Sequence, residues 1–196
     1  ADLAALPDGL EVWNDDFWLT FSFAALQRWD EEVARGRHLC GSGGSDVHGV
    51  GGATEVGRPT TVVYASELSR AAIVDGMKRC RMYLTDRPNG IKLTLTAKTA
   101  QGEAMLGSTI SGAASTVVPV SARVRGGNGK FLAFIRNGEL VSIDYLQGDD
   151  VTITKPIGIG TGGGVRALVH DFPLNLRPRA LTNPIFLRQG PPGLEP

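Results

Sequence analysis

The hydrophobic pattern of the second half of the chain constrains its fold most strongly. Apolar and polar residues alternate over 91–98, IKLTLTAK, which is typical of a strand with one buried face. Asn137 and Gly138 separate two further apolar runs, and this pair favours a tight hairpin because both residues accept positive φ. We therefore expect residues 89–189 to form an antiparallel β-sandwich of roughly seven strands, followed by a disordered tail, 190–196. Further strand-like runs are DVTIT (150–154), VRALVHDF (165–172) and ALTNPIFLR (180–188).

Strand-like and helix-like segments alternate in the first 85 residues. Leu26, Trp29 and Val33 are three and four positions apart and predict the buried face of a helix. Ser66 has the residue type of a helix N-cap and precedes a second helical pattern. This order predicts an α/β domain with a largely parallel sheet over residues 1–88, with a boundary near 86–90. The short strands expected around the two helices are LEVWN (10–14), PTTVVYA (59–65) and MYLT (82–85).

The charge balance excludes several classes of partner. Lys plus Arg and Asp plus Glu each number 20, so the formal net charge is zero. Without a basic field or a cluster of Lys and Arg, we expect no binding to nucleic acid or to an anionic membrane. Cys40 and Cys80 are too few for a disulfide-rich scaffold or a four-thiolate zinc site, and we interpret them as small buried apolar residues.

Two patterns imitate catalytic motifs. GIGTGGG (158–164) has the G-x-G-x-x-G spacing of a dinucleotide-binding turn, but the run that follows is strand-like, whereas the motif must open a helix. Ser45 lies near His48, yet it lacks the G-x-S-x-G surroundings of a nucleophile elbow. We therefore expect a loop between strands for the first, and no serine triad for the second.

Asp46 and His48 are stronger candidates for chemistry. They lie two positions apart after a strand-like segment, so their side chains point to the same side. A carboxylate and an imidazole so placed can ligate a divalent cation, and flanking glycines let substrate approach. The residues alone leave a second interpretation open, namely an aspartate–histidine hydrogen bond in a surface loop.

The order of motifs around this pair resembles the C-terminal half of the PHP (polymerase and histidinol phosphatase) family of metal-dependent hydrolases. The similarity lies in GSGGSDVHG (41–49), in GRPTTVVYASELSRAAIVDGMKRCRMYLT (57–85), and in the preceding strand and helix over 10–39. The β-half, with ALTNPIFL (180–187), is similar to the domain appended in the branch that includes carbaryl hydrolase. The resemblance thus covers nearly the whole chain and implies that residues 1–88 are the C-terminal part of a distorted β/α barrel.

The resemblance also implies roles for individual residues. Asp46 and His48 match metal ligands of a centre holding two or three Zn, Mn or Fe ions, which activates a water for phosphoester or carbamate/ester hydrolysis. Asn14 matches a polar residue that ends an earlier strand near the site, and it is equally interpreted as a turn residue. Cys80 and Arg81 replace the usual glycine–arginine pair before the last strand of this half.

The N-terminal H-x-H pair and the further ligands of that centre do not occur in this sequence, which contains three histidines. We therefore expect the chain to be the C-terminal fragment of a larger hydrolase, inactive alone. Its centre would be completed by the N-terminal part of the same protein or by a second chain, and its substrate would be a small ester.

Two other functions remain open from the sequence. The first is a non-catalytic binding module, in which the β-sandwich recognises a glycan or a protein and the α/β half is degenerate. The second is a structural half-barrel completed by oligomerisation.

Among the other residues, we expect Trp13 and Trp29 in the core and His38 in a structural position. Trp18 is a candidate for a substrate mouth or a cover over the core, and His170 for a surface strand position.

Overall fold

The computed structural model describes residues 7–14, 22–49, 55–171 and 178–195, and Trp18 lies outside these ranges. The two helices found in them are α1 (Phe23–Ala34) and α2 (Arg70–Lys78). Neither is long and apolar enough to cross a membrane. The strands are β1 (Gly9–Asn14), β2 (Cys40–Gly44), β3 (Thr60–Val63), β4 (Met82–Thr85), β5 (Lys92–Thr99), β6 (Gly102–Met105), β7 (Thr109–Gly112), β8 (Val117–Arg125), β9 (Phe131–Arg136), β10 (Glu139–Tyr145), β11 (Asp150–Gly158), β12 (Gly163–His170), β13 (Pro178–Thr182), β14 (Ile185–Gln189) and β15 (Gly193–Glu195).

These strands form three sheets. The largest has nine strands, with β12 paired to β9, β13 and β14. From β13 the sheet continues through β4 to β3, from β14 through β7 to β15, and β9 carries β10. A four-stranded sheet has the order β11-β8-β5-β6, and β1 and β2 form a separate parallel pair.

The nine-stranded sheet is covered on both faces. Alternate apolar residues of the four-stranded sheet, such as Leu93, Leu95 and Val120, pack with Phe134 and Val165 of the large sheet in one core. A second core lies on the opposite face, where α1 and the β1–β2 pair contribute Val12, Trp13, Leu26, Trp29, Val33, Leu39 and Cys40 against residues of the large sheet such as Leu84, Ile135, Leu168 and Phe186. The strands after residue 90 lie in two packed sheets. The outer face of the nine-stranded sheet is covered by α1 and the β1–β2 pair, from which the Asp46 loop leaves.

The hairpin predicted at Asn137-Gly138 is confirmed. The two residues connect β9 to β10 with φ angles of 53° and 82°. The side chain of Asn137 also accepts a hydrogen bond from Gly164 N at 2.9 Å and donates one to Gly162 O at 3.1 Å. The hairpin is therefore bonded to the glycine-rich turn before β12.

The α/β barrel expected for residues 1–88 is wrong. The described residues are mostly β, and β3 and β4 are antiparallel, with Thr60 opposite Thr85 and Val63 opposite Met82. The physical reason lies in the connection: α2 has nine residues, and it returns the chain to the same end of the sheet, where Tyr64 N–H donates to Arg81 O at 2.7 Å. A parallel crossover has to carry the chain back along the whole strand instead.

The start of α2 also differs from the prediction. Ser69 rather than Ser66 is the N-cap, because its hydroxyl accepts a hydrogen bond from Ala72 N. Leu68 precedes the helix and is exposed.

The predicted boundary near 86–90 falls in the turn between β4 and β5. Since β4 pairs with β13, strands from before and after this turn belong to one sheet. At the other end, Gly193–Glu195 form β15 and pair with β7, whereas the sequence predicts disorder over 190–196. Leu194 packs against the sandwich core, which holds this short strand in place.

Cys40 and Cys80 are both buried, as expected, but they form a disulfide. It joins the first residue of β2 to the turn after α2, across a sequence separation of 40. Cys80 has a φ of 53°, and this left-handed turn directs the chain from α2 back towards β4. Cys80 therefore has a backbone conformation that glycine usually adopts. Its disulfide links β2 covalently to the turn between α2 and β4.

The side chain of Asn183 attaches β2 to the large sheet. Its carbonyl accepts from Gly41 N at 2.7 Å, while its amide donates to Gly41 O at 2.8 Å and Met82 O at 2.9 Å. Thr61 repeats the arrangement two residues along, since its hydroxyl accepts from Gly43 N and donates to Gly43 O. These two side chains stand where a neighbouring strand would be.

We expect Asn183→Ala to lower the free energy of unfolding by about 3 kcal/mol, because it leaves the buried N–H and C=O groups of Gly41 without their side-chain partners. Urea denaturation followed by circular dichroism measures the change. Asn128→Ala is the matched control, since Asn128 is exposed and accepts one hydrogen bond from Gly148 N, so its effect should stay within about 0.5 kcal/mol. Equal stability of the two variants would contradict the role given to Asn183.

Candidate functional site

The site is built at the carboxyl end of the parallel β1–β2 pair. Asn14, the last residue of β1, lies opposite Gly44, the last residue of β2. The predicted face of α1 packs against this pair: Leu26, Trp29 and Val33 are all buried, which confirms that part of the prediction. The chain therefore leaves β2 at a supported edge, and the loop that follows carries Asp46 and His48.

The glycines of β2 are required by packing. A Cβ on Gly41 would lie 2.8 Å from the Trp29 ring, and one on Gly43 would lie 2.9 Å from Trp13 O. The Trp29 ring is itself fixed, because its Nε1 donates to Leu39 O at 2.7 Å in the core. The glycine run thus lets β2 approach α1 and β1 closely, whatever the role of the loop beyond it.

Asp46 and His48 lie next to each other. Asp46 Oδ1 and His48 Nε2 are 3.0 Å apart, and the two side chains are 53% and 85% exposed. Asp46 has a φ of 46°, a left-handed conformation that aspartate tolerates better than most residues. The structure therefore brings the two predicted ligands together, in the open, at the end of a parallel strand.

Asn14 lies on the neighbouring strand end but is engaged elsewhere. Its backbone N–H donates to Ser22 Oγ at 3.0 Å, and its side-chain amide donates to Glu11 Oε2 at 2.9 Å. Asn14 ends β1 opposite Gly44, and its contacts are those of a residue that ties β1 to the start of α1.

Glu11 is a carboxylate at this edge that the sequence did not indicate. Its Oε1 lies 2.9 Å from the position that a Cβ on Gly44 would occupy, and its other oxygen bonds Asn14. Strict alternation would put Glu11 and Asn14 on opposite faces, but a bulge between Glu11 and Trp13 shifts the register. No signal in the sequence marks this bulge.

The pair of Asp46 and His48 does not belong to a larger cluster. Within the described ranges, no group of three or more potential ligands includes either residue. A metal ion held by these two side chains would therefore need further ligands from water, from another segment or from a second chain.

The remaining candidates have structural surroundings. The glycine-rich segment 158–164 joins β11 to β12, so a strand follows it and the predicted loop between strands is confirmed. His170 is buried at 2% exposure and stacks near Phe131, whereas the sequence predicts a surface position. His38 packs on Phe186, with ring centroids 4.0 Å apart, in agreement with a structural position.

Comparison with protein-family models, with curated proteins and with solved structures finds no match to this chain. The resemblance to the PHP family therefore rests on the residues quoted above.

We expect Gly41→Ala to destabilise the protein by about 1–3 kcal/mol, because the added methyl group meets the ring of the buried Trp29. Chemical denaturation measures the loss, and near-ultraviolet circular dichroism should report a changed tryptophan environment. Gly49→Ala is the matched control, since nothing lies within 4 Å of its Cβ position, and it should change stability by less than about 0.5 kcal/mol. If both variants are equally stable, the glycines of β2 are not needed for packing.

Proposed function

We propose that this chain carries the Asp46–His48 part of the metal centre of a PHP-type metal-dependent hydrolase acting on a phosphoester or on a carbamate or ester. The observation that carries the proposal is the 3.0 Å approach of Asp46 Oδ1 to His48 Nε2 at the carboxyl end of β2. The order of motifs in the sequence supports the same family, and the β/α barrel is not part of the proposal.

The separation of the two atoms suits a shared cation. Two cis ligands bonded at about 2.1 Å in an octahedral sphere are about 3.0 Å apart, which is the distance between these atoms. A carboxylate oxygen and a neutral imidazole nitrogen are ligands that Zn, Mn and Fe all accept. Small rotations of these exposed side chains are therefore enough to direct both atoms at one ion.

The loop also has the properties of a reactive site. Asp46 has a left-handed backbone conformation that is commoner at functional positions than elsewhere. No side chain of the described residues covers the pair, as its exposure shows, so a substrate can reach both groups. The carboxyl ends of parallel strands are the usual place for active sites in proteins that contain such pairs.

A divalent ion at this position would supply a Lewis acid and lower the pKa of a bound water to about 7. Asp46 would hold it through a carboxylate oxygen and His48 through Nε2. Two protein ligands leave most of the coordination sphere to water, so we propose that an N-terminal part of the same protein or a second chain supplies the others. We expect the chain alone to be inactive.

A non-catalytic binding module is the second candidate, and one observation favours it. Strand β10 pairs with β9 alone among the described strands and exposes a row of apolar side chains. Leu140, Val141 and Tyr145 are each at least 45% exposed, and Tyr145 packs beside Phe131 with ring centroids 5.3 Å apart. Exposed apolar patches of this kind often mark interaction sites.

We expect Mn²⁺ added to the oxidised chain to broaden the NMR signals of Val47 and His48 first, because a paramagnetic ion relaxes the nuclei nearest to it. With two protein ligands, the dissociation constant should be on the order of millimolar. Asp46→Asn and His48→Gln should each weaken binding by roughly tenfold or more.

Asp75→Asn is the matched control for this titration. Asp75 is exposed to 58%, like Asp46, but it is paired with Arg79, so its loss should leave the broadening at Val47 unchanged. Broadening that persists in Asp46→Asn and His48→Gln, or that is strongest around Asp75, would refute the assignment of the ligands.

A further inference from the structure

We propose that reduction of the Cys40–Cys80 disulfide creates a second metal site, in which His38 and the two thiolates bind Zn²⁺ or a similarly soft cation. Ligand atoms of His38, Cys40 and Cys80 all lie within 4.8 Å of one another. The site is independent of the Asp46–His48 pair, which offers an oxygen and a nitrogen at the other end of β2.

The hydrogen bonds of His38 prepare one ring nitrogen for a metal. Its Nε2 lies 3.1 Å from Gly107 O, and a carbonyl oxygen only accepts, so Nε2 carries the proton. In the neutral imidazole Nδ1 then carries the lone pair, and it lies 3.8 Å from Cys80 Sγ. A ligating histidine that donates its other N–H to a backbone carbonyl is the usual arrangement around protein-bound zinc.

Packing keeps the ring in this orientation. His38 stacks on Phe186, which is buried, with a centroid distance of 4.0 Å and an interplanar angle of 31°. The ring is thus held from one side by an aromatic contact and at its tip by Gly107 O. Metal binding would not have to order it first, which lowers the entropic cost.

The spacing agrees with tetrahedral zinc. With Zn–S bonds of about 2.3 Å and Zn–N bonds of about 2.0–2.1 Å, two sulfur ligands are about 3.8 Å apart and a nitrogen and a sulfur ligand about 3.5–3.6 Å. The Nδ1 to Cys80 Sγ distance is 3.8 Å, so a shift of roughly 0.2 Å brings these two atoms to the distance that zinc requires. After reduction the two sulfur atoms have to separate to a similar distance, which rotation of the Cys40 and Cys80 side chains provides.

An entry path leads to the histidine. A cleft of about 220 Å³ lies beside it, lined among others by Gly36, His38 and Phe186. The two cysteines are buried at 4% and 0% exposure, and Cys40 also lines a second cleft of about 340 Å³, so an ion could reach the thiolates past His38 or from the Cys40 side. A water molecule in the cleft beside His38 would complete the four ligands.

The chemistry balances in two steps. An external dithiol gives two electrons and two protons to the S–S bond, which becomes two thiols while the dithiol becomes a disulfide. Each thiol then loses its proton as it ligates, so binding one divalent ion releases two protons. The oxidised and the metal-bound forms exclude each other, because each sulfur has either a sulfur or a metal partner.

Cobalt(II) titration of the full chain tests the proposal. The protein is reduced with a water-soluble phosphine, freed of reductant under nitrogen, checked for two free thiols and then titrated. We expect a thiolate-to-cobalt charge-transfer band in the near ultraviolet that saturates at one equivalent and is lost when zinc is added. The oxidised chain should give no such band.

Two variants separate this site from the other. His38→Gln should weaken cobalt binding at least tenfold, whereas His48→Gln should leave the band and its saturation unchanged. A reduced chain with two free thiols and no charge-transfer band would overturn the proposal. The same holds for an undiminished band in His38→Gln, or for loss of the far-ultraviolet circular dichroism on reduction.

Discussion

The hydrogen bonds between the Asn183 side chain and the backbone of Gly41 are the interaction on which the placement of the site depends. Among the described strands, β2 has a backbone partner on one side only, and a two-stranded parallel pair is seldom stable by itself. Asn183 and Thr61 satisfy the N–H and C=O groups of Gly41 and Gly43 on the other side. The disulfide at Cys40 anchors the start of the same strand. The Asn183 and Thr61 side chains thus make the hydrogen bonds that a neighbouring strand would otherwise make, and they hold β2 against the nine-stranded sheet.

The glycine-rich segment that forms β2 and the loop after it has two parts with different roles. Gly41 and Gly43 lie against Trp29 and Trp13, so the absence of a Cβ there is a packing requirement. Beyond the strand, nothing lies within 4 Å of a Cβ placed on Gly49, and Asp46 and His48 are exposed. A rigid strand followed by an open loop is a suitable support for ligands, because the strand fixes where the loop begins and the loop lets a metal and a substrate approach.

Local patterns were predictable where one interaction dominates. The hairpin at Asn137-Gly138 follows from the φ preferences of its two residues, and the buried face of α1 follows from the spacing of Leu26, Trp29 and Val33. Asp46 and His48 lie 3.0 Å apart, but they follow the end of β2 and Asp46 is left-handed, so the strand alternation used in the prediction is not what brings them together. Features that depend on distant parts of the chain were missed: the antiparallel pairing of β3 with β4, the disulfide across 40 residues, and the bulge that brings Glu11 to Asn14. Each of these three features is set by tertiary packing, which the hydrophobic period and the residue types of a local segment do not reveal.

We propose that β2, held along its outer edge by side chains, presents Asp46 and His48 as two ligands of one metal ion. Anomalous diffraction from a crystal of the oxidised chain soaked in Mn²⁺ tests this most directly. We expect an anomalous peak within bonding distance, about 2.1–2.2 Å, of Asp46 and of His48 Nε2. A crystal that binds Mn²⁺ elsewhere, while the 3.0 Å contact between Asp46 and His48 remains intact and without a peak, would contradict this proposal.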